Sequence, residues 1–256
     1  MAGMKQHLYI LTGASRGMGR AMAEQLLRPD HQLLCISRQA SEPLAAQAKA
    51  CGASLWQWQA DLADGASLAQ RLQDWLAAQD PSALASATLI NNAGVIPRIG
   101  PLSQADATDL AHALRVGLEA PMQLSAAFLG STEHWPLPRK VLNISSGLGR
   151  RAMASQAGYC AAKAGMDHFT RCLALDEALK PQGARVCSLA PGVIDTDMQV
   201  QLRSAPGQDF PDQANFRQLK AGGMLSSPED AASRVLAFLG RADFGAHPVA
   251  DVRDPA

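Results

Sequence analysis

The chain alternates short apolar runs with longer stretches rich in Ala and Leu. Six of the apolar runs have the length of a β-strand: "HLYILT", "QLLCIS", "SLWQWQ", "ATLINN", "KVLNISS" and "ARVCSLA". Because these runs lack polar alternation, we expect strands that are covered on both faces, as in a parallel sheet. Right-handed crossovers between them predict the α/β class, with a doubly wound, Rossmann-type parallel sheet in a three-layer α/β/α arrangement.

The length of the chain suits one domain. Its 256 residues, 47% of them hydrophobic, can bury one continuous core, so residues 1–256 are predicted to form a single domain. The stretch Ser204–Leu225 is rich in Pro, Gly and Gln and is predicted to be irregular. Ligands of such sheets bind beyond the carboxyl ends of the strands, so we expect a substrate lid at about residues 197–225.

Charge and cysteine content narrow the possible partners. Lys plus Arg and Asp plus Glu number 23 each, so no net field favours nucleic acid or an anionic membrane. The five cysteines form no C-x-x-C pair and the six histidines show no paired ligand spacing, so no metal is expected. With no leader pattern, no membrane-length apolar stretch and an odd number of cysteines, the expected location is the cytoplasm. A small molecule is the expected partner.

A glycine-rich turn, "TGASRGMGR", follows the first apolar run. Gly13, Gly17 and Gly19 tolerate positive φ and let the backbone approach a ligand, and the following helix would offer free N–H groups to a phosphate. The spacing G-x-x-x-G-x-G at this place favours nucleotide binding. A purely structural turn is the alternative.

Two arginines indicate which dinucleotide would bind. Arg16 lies within the turn, and Ser37 and Arg38 stand at the end of the second strand, where NAD-binding folds carry an acid for the ribose 2′-hydroxyl. A guanidinium can bind a 2′-phosphate through two parallel hydrogen bonds, so NADP(H) is the expected cofactor. The alternative is a pair of solvated surface arginines.

Acid–base chemistry is indicated further along the chain. In "GYCAAKAG", Tyr159 and Lys163 lie four residues apart at the start of a predicted helix, so they share one face. A phenol needs a nearby cation to ionise near neutral pH, and Lys163 could supply that charge. Ser146 ends the strand "KVLNISS", where its hydroxyl could contact a carbonyl oxygen of a substrate.

Together these motifs resemble those of the short-chain dehydrogenase/reductase family over nearly the whole chain. "TGASRGMG" resembles its cofactor loop, "NNAG" (Asn91–Gly94) the segment after its fourth strand, and "PGVIDT" (Pro191–Thr196) its nicotinamide-side motif. The resemblance implies that the single domain is a dinucleotide-binding catalytic domain. It also implies that Tyr159 protonates a carbonyl oxygen during hydride transfer, that Ser146 stabilises the alkoxide, and that Lys163 binds the ribose and lowers the Tyr159 pKa.

The same resemblance implies a set of cofactor contacts, with Asp61 beside the adenine. These contacts are Gly13, Ser15, Arg16, Gly17, Met18, Gly19, Arg38, Asp61, Asn92, Gly94, Tyr159, Lys163 and Thr196.

Within the family, the chain is most similar to sepiapterin reductases and bacterial benzil reductases. The similarity lies in "DTDMQ" (Asp195–Gln199), in the lid "FRQLKAGGMLSSPEDAA" and in the tail "HPVADVRD". It implies an NADPH-dependent carbonyl reductase of small ketones or 1,2-diketones, with a generic reductase as the alternative. It also offers Asp251 as a contact for a pterin substrate, against the alternative of a solvated tail carboxylate.

One position departs from the family pattern. Gly117, in "RVGLEAP", stands where the family usually has an active-site asparagine. The departure leaves open a non-catalytic NADP(H)-binding sensor or scaffold, although the intact Ser146, Tyr159 and Lys163 favour an enzyme. Because glycine lowers helix stability, a Gly117→Asn variant is predicted to be no less stable.

Self-association is suggested by two predicted helices, Ala111–Leu129 and Ala157–Leu179. Both are rich in Ala and Gly, which permits close helix packing across a two-fold axis, and in the family these helices commonly form a dimer interface. A homodimer is therefore expected. Ordinary packing on the sheet is the alternative.

Overall fold

A parallel sheet forms the centre of the computed structural model, which describes residues 5–255. Residues 1–4 and 256 of the predicted domain lie outside the described residues. The strands are β1 (Gln6–Thr12), β2 (His31–Ser37), β3 (Ser54–Gln59), β4 (Leu84–Asn91), β5 (Arg139–Ile144), β6 (Arg185–Ala190) and β7 (Val249–Asp251). Their order is β3-β2-β1-β4-β5-β6-β7, and each neighbouring pair is parallel. The order reverses between β1 and β4, which is the switch point of a doubly wound sheet.

Helices cover both faces of this sheet. They are α1 (Gly17–Leu26), α2 (Glu42–Cys51), α3 (Gly65–Ala77), α4 (Ala107–Leu114), α5 (Ala120–Thr132), α6 (Ala157–Ala178), α7 (Asp197–Ser204), α8 (Gln213–Ala221) and α9 (Pro228–Gly240). Buried residues of α1, α2 and α9 form one apolar cluster, and those of α3 and α5 form another. The predicted three-layer α/β fold is confirmed.

The apolar strands divide their side chains between these two clusters. In β1, Leu8 and Ile10 pack with Phe128 of α5, whereas Leu11 packs with Met22 of α1. Successive side chains of a strand point to opposite faces, so an unbroken apolar run feeds both layers. This is why the six predicted runs lack polar alternation.

Two elements differ from the sequence prediction. Strand β7 pairs with β6 at the sheet edge, but it has three residues, which is too few for a periodic pattern. The predicted irregular region contains α8, because its breakers Pro206, Gly207 and Pro211 precede that helix and Gly222 and Gly223 follow it. The intervening "QANFRQLKA" consists mostly of good helix formers.

Helix α6 packs closely against α4 and the turn that follows α4. Residues Arg115–Glu119 form a π-helical turn between α4 and α5, so the predicted helix Ala111–Leu129 is interrupted and extends further at both ends. A β-carbon on Gly158 would lie 2.6 Å from Leu110 Cδ1, and one on Gly165 would lie 2.8 Å from Leu118 Cδ2. Gly158 and Gly165 thus allow close packing within one chain. Contact across a two-fold axis stays a prediction.

Candidate active site

The turn after β1 is shaped by glycines for two separate reasons. Gly13 and Gly17 have φ of +73° and +53°, where residues with a β-carbon are strained. A β-carbon on Gly19 would overlap the Gly13 carbonyl oxygen and the Asn92 amide nitrogen. The turn leads into the first residue of α1, and Arg16 at its N-cap makes no capping side-chain bond. These backbone N–H groups and the positive end of the helix suit a phosphate.

Asn92 fixes the opposite wall of this turn. Its Nδ2 donates to the carbonyl oxygens of Thr12 at 3.0 Å and Gly13 at 3.3 Å. The Thr12 hydroxyl in turn accepts from the backbone N–H groups of Asn92 and Ala93. The structure therefore shows Asn92 bound to the loop backbone, so its side chain shapes the turn.

Ser146, Tyr159 and Lys163 come together where β5 ends and α6 begins. Tyr159 and Lys163 are both more than nine-tenths buried, and Lys163 Nζ donates to the carbonyl oxygen of Ile144 at 2.7 Å. Nζ also lies 5.8 Å from the centre of the Tyr159 ring. The predicted trio thus shares one site.

Burial shifts the pKa values of Tyr159 and Lys163. It raises the pKa of Tyr159 to about 12, and a hydrogen bond with Ser146 opposes the shift. It lowers the pKa of Lys163 to about 8, and attraction to Asp167 opposes that shift. Burial therefore outweighs the hydrogen bond with Ser146, and the net pKa of Tyr159 lies above its usual value rather than below it. At neutral pH the phenol keeps its proton and can donate it.

One large cavity, of about 950 Å³, is lined by every residue that the sequence analysis predicts to bind cofactor, to contact substrate or to take part in catalysis. Its lining includes Gly13, Ser15, Arg16, Gly17, Met18, Gly19, Arg38, Asp61, Asn92, Gly94, Ser146, Tyr159, Lys163, Thr196 and Asp251. The glycine turn, an exposed arginine after β2 and the acid after β3 are features that suit a dinucleotide.

The two arginines predicted to select the cofactor have different surroundings. Arg38 makes no hydrogen bond or ion pair with any residue in the described part of the chain. Arg16 Nη1 instead donates to Asp197 Oδ2 at 2.9 Å, an exposed ion pair that joins the glycine turn to the start of α7. Asp61 accepts from the N–H of Ala63 at 2.9 Å and begins a short 3-10 helix.

Asp251 reaches the cavity because β7 pairs with β6, beside Ala190. Its carboxylate accepts two hydrogen bonds from the Arg253 guanidinium, both 2.7 Å long. These bonds hold the pKa of Asp251 below its usual range. A substrate that binds Asp251 would have to share this carboxylate with Arg253.

Gly117 lies in the π-helical turn before α5 and is buried. A β-carbon there would lie 3.2 Å from Ala162 Cβ, closer than a comfortable contact. The prediction that Gly117→Asn would be no less stable considered helix propensity alone. Crowding against Ala162 opposes that gain, and the sign of the net effect depends on how far Ala162 can shift.

The sequence analysis missed a polar layer behind the trio. Asp167, one turn after Lys163, is fully buried, and it accepts from the Ser188 hydroxyl at 2.6 Å. Arg150 Nε lies 3.4 Å from the other oxygen of Asp167. Gln156, also in the cavity lining, is buried with neither amide atom hydrogen-bonded to a described residue. The i, i+4 spacing of Lys163 and Asp167 was the available signal.

Within residues 5–255, no group of three or more His, Cys, Asp or Glu side chains could hold a metal ion. No described helix combines the length and the apolar character needed to cross a membrane.

The fold and the site together define a nicotinamide-dependent oxidoreductase of the doubly wound type. The chain belongs to the short-chain dehydrogenase family: the family model described as "short chain dehydrogenase" matches residues 7–207.

Several of its relatives within that family are named as reductases. The chain is 33% identical over 235 residues to the benzil reductase ((S)-benzoin forming) of Bacillus cereus, across 92% of this chain and 94% of that one. It is 34% identical over 252 residues to the sepiapterin reductase of Meriones unguiculatus, across 93% and 94%. A solved short-chain dehydrogenase/reductase from Burkholderia vietnamiensis is 34% identical, with a TM-score of 0.64 over 99% and 100%. The predicted resemblance is confirmed.

Proposed function

We propose that the protein is an NADPH-dependent carbonyl reductase of small ketones or 1,2-diketones, similar to benzil or sepiapterin. The observation that carries this proposal is the single cavity that joins the glycine turn to Ser146, Tyr159 and Lys163. A phosphate-binding turn and a proton donor in one cavity are what hydride transfer to a carbonyl requires. The family and the two reductase relatives support it.

In the proposed reaction, the nicotinamide supplies the hydride when it is bound. Tyr159 Oη donates its proton to the carbonyl oxygen of the substrate, which its raised pKa allows at neutral pH. Ser146 Oγ donates a hydrogen bond to the same oxygen and stabilises the developing charge. Lys163 Nζ would bind the ribose hydroxyls of the cofactor, next to Gly94.

Arg38 is the residue that would favour NADPH over NADH. It follows a strand that ends in Ser37, so no carboxylate at this position repels a 2′-phosphate. Its guanidinium is exposed and makes no bond within residues 5–255. Arg16 would contribute more weakly, because it is shared with Asp197.

The substrate side of the cavity combines apolar and ionic groups. Met153, Met198, Leu202 and Phe216 contribute apolar wall next to the trio, which suits an aromatic diketone. We propose that the segment at about residues 197–225, with α7 and α8, acts as the substrate lid of one catalytic domain. This lid would close over the glycine turn through Arg16 and Asp197.

To bind a pterin substrate, the carboxylate of Asp251 would have to give up its hydrogen bonds with Arg253. If Asp251 holds a pterin, Asp251→Asn abolishes sepiapterin turnover while Arg253→Met increases it, and neither variant alters benzil turnover. Equal responses of the two substrates to Asp251→Asn would contradict this role and leave Asp251 as part of the sheet edge.

We also propose a cytoplasmic homodimer. Met122 on α5, Leu175 on α6 and Leu179 directly after α6 are large, exposed apolar side chains in the two regions expected at the interface. Sedimentation of the unmodified protein and of a Leu175→Glu/Leu179→Glu variant tests the dimer. Cell fractionation tests the location.

Turnover with a panel of diketones tests the proposed function. We expect the unmodified protein to oxidise NADPH when benzil or sepiapterin is present. The loss of NADPH absorbance measures this reaction. Tyr159→Phe should bind NADPH normally but reduce ketones at least about a hundredfold more slowly. NADPH binding without turnover of any ketone would contradict the proposal and favour a sensor or scaffold.

A further inference from the structure

An ion pair between a buried carboxylate and a partly exposed guanidinium lies behind the catalytic trio, outside the cavity lining; the Arg150 side chain is 35% exposed. Asp167 on α6 is 1% exposed, and Arg150 follows the short 3-10 turn Gly147–Gly149 that comes after Ser146. Arg150 Nε lies 3.4 Å from Asp167 Oδ2, and this oxygen has no hydrogen-bond donor among the described residues. Arg150 is therefore the charge that compensates a buried carboxylate.

The pair connects four pieces of the fold. Asp167 Oδ1 accepts from Ser188 on β6 at 2.6 Å. Arg150 Nη2 donates to the carbonyl oxygen of Ala250 on β7 at 3.0 Å, one residue before Asp251. Helix α6, the segment after Ser146, and the strands β6 and β7 thus meet at two side chains.

Residues 146–150, called here the Ser146 segment, approach α6 closely because one of them, Gly149, is a glycine. A β-carbon on Gly149 would lie 2.8 Å from Asp167 Oδ2 and 2.9 Å from the carbonyl oxygen of Lys163. The backbone after Ser146 therefore rests directly on the turn of α6 that carries Lys163. A movement of this contact would change the distance between Ser146 and the other two members of the trio.

An ion pair of this kind is a poor source of stability. Removing a carboxylate from water is costly, and an ion pair repays that cost only with good geometry and further hydrogen bonds. Asp167 has one good hydrogen bond and one long ionic contact. We propose, on the basis of the reductase function above, that Asp167 and Arg150 are a positioning pair. Asp167 supplies negative charge behind Lys163, and Arg150 holds the Ser146 segment and β7 in place.

The surroundings of Lys163 support the electrostatic part of this role. Burial lowers the pKa of Lys163, and attraction to Asp167 is what opposes it. The other titratable or charged groups nearby come from each packed element: Tyr159 on α6, Arg150 after Ser146, Cys187 on β6, Asp254 after β7 and His112 of α4 in the cavity lining. Asp167 is the acid among them that lies one turn from Lys163.

The electrostatic part is tested without turnover by an NMR titration of ¹³C-labelled lysine side chains, assigned with Lys163→Met. Asp167→Asn should move the Lys163 titration to lower pH, by about one unit, because the cation loses its partner. Arg150→Met should not move it to lower pH. Asp74→Asn, an exposed charge removal on α3, is the matched control and should leave the titration unchanged. An unmoved titration in Asp167→Asn overturns this part whether or not the protein reduces ketones.

The positioning part is tested by pH profiles of NADPH-dependent ketone reduction. Because the reaction needs charged Lys163, the fall in kcat at high pH should begin at lower pH in Asp167→Asn than in the unmodified protein. Arg150→Met should raise the KM for ketone at least threefold, and its kcat should fall at the same high pH as in the unmodified protein. Arg150→Lys should bring the KM back most of the way to the unmodified value. A uniform fall in kcat in both variants, with neither pH limb nor KM altered, would indicate a merely structural pair and overturn the proposal. An unmodified protein that binds NADPH but reduces nothing contradicts the proposed function, and the NMR titration still decides the inference.

Discussion

The nucleotide side and the substrate side of the cavity are built differently. On the nucleotide side, Gly13 and Gly19 are demanded by backbone geometry, and Asn92 is bound to two backbone carbonyls. On the substrate side, α7 and α8 make a small apolar cluster and three ion pairs: an exposed pair of Asp197 with Arg16, and pairs of the partly buried Asp195 with Arg203 and Lys220. Exposed ion pairs contribute little and are screened by salt.

The difference shows which parts of the site can vary. In the glycine turn, any added β-carbon at Gly19 would overlap neighbouring atoms, so only glycine fits. The turn therefore appears in the sequence as a motif. The lid segment is joined to this turn by an exposed ion pair, and exposed charged side chains can be exchanged without losing the fold. We therefore expect the nucleotide side to respond sharply to substitution and the substrate side to respond weakly.

The largest effect is expected for Gly19→Ala. The added β-carbon overlaps the Gly13 carbonyl and the Asn92 amide, so the turn must open, at a cost of about 1–3 kcal/mol or more. NADPH binding, measured by fluorescence, should be lost, and the unfolding midpoint in urea should fall. Gly130→Ala inside α5 is the control, because nothing lies within 4 Å of its β-carbon. Normal NADPH binding by Gly19→Ala would refute the description of this turn as rigid.

Next in size is Arg38→Asp. It removes a charge-assisted contact to a 2′-phosphate, typically about 1.5–3 kcal/mol, so NADPH affinity should fall about tenfold to about a hundredfold. NADH affinity should hold or rise, and the ratio of the two Kd values is the measurement. Arg28→Asp, outside the cavity lining, is the control. Equal affinity of the unmodified protein for both cofactors would contradict the role of Arg38.

A smaller effect, on stability and rate, is expected for Gly117→Asn. Crowding against Ala162 should cost about 1–3 kcal/mol in denaturant unfolding, partly offset by up to about 1 kcal/mol of helix propensity. Adding Ala162→Gly should restore part of the loss. NADPH affinity should stay unchanged while kcat changes, because Gly117 is not among the described residues of the cavity lining. Greater stability of the single variant would show that the contact relaxes freely.

The smallest effect is expected for Asp197→Asn on the substrate side. The ion pair with Arg16 has side chains 64% and 74% exposed, so unfolding should change by less than about 0.5 kcal/mol. NADPH affinity should change by less than about fivefold, in the direction of tighter binding, because Arg16 is released toward the phosphate. A larger loss of stability would mean that the lid is held as firmly as the glycine turn.

The sequence predicted most of the sheet and many of the residues that line the candidate cavity. Strands β1 to β6 were found because an unbroken apolar run is a local property, set by burial on both faces. Gly13, Ser146, Tyr159 and Lys163 were found because a tight turn and an i, i+4 pair act over a few residues. The cavity then brings these local motifs together at the carboxyl ends of the strands.

Other features were decided by contacts between residues far apart in the chain. Strand β7 exists because Val249–Asp251 finds the free edge of β6, and no three-residue pattern could predict that pairing. The cost of a β-carbon at Gly117 depends on Ala162, and the environment of Asp167 depends on Arg150 and Ser188.

By itself, the sequence determined the fold class and the glycine turn, and it singled out Ser146, Tyr159 and Lys163 as candidates, because each of these signals acts over a short span of chain. Only the tertiary structure decided that Asp251 reaches the cavity, that Arg16 is shared with Asp197, and that burial dominates the ionisation of Tyr159. Ion pairing and desolvation depend on distances and on excluded water, and both arise only after distant segments have packed together.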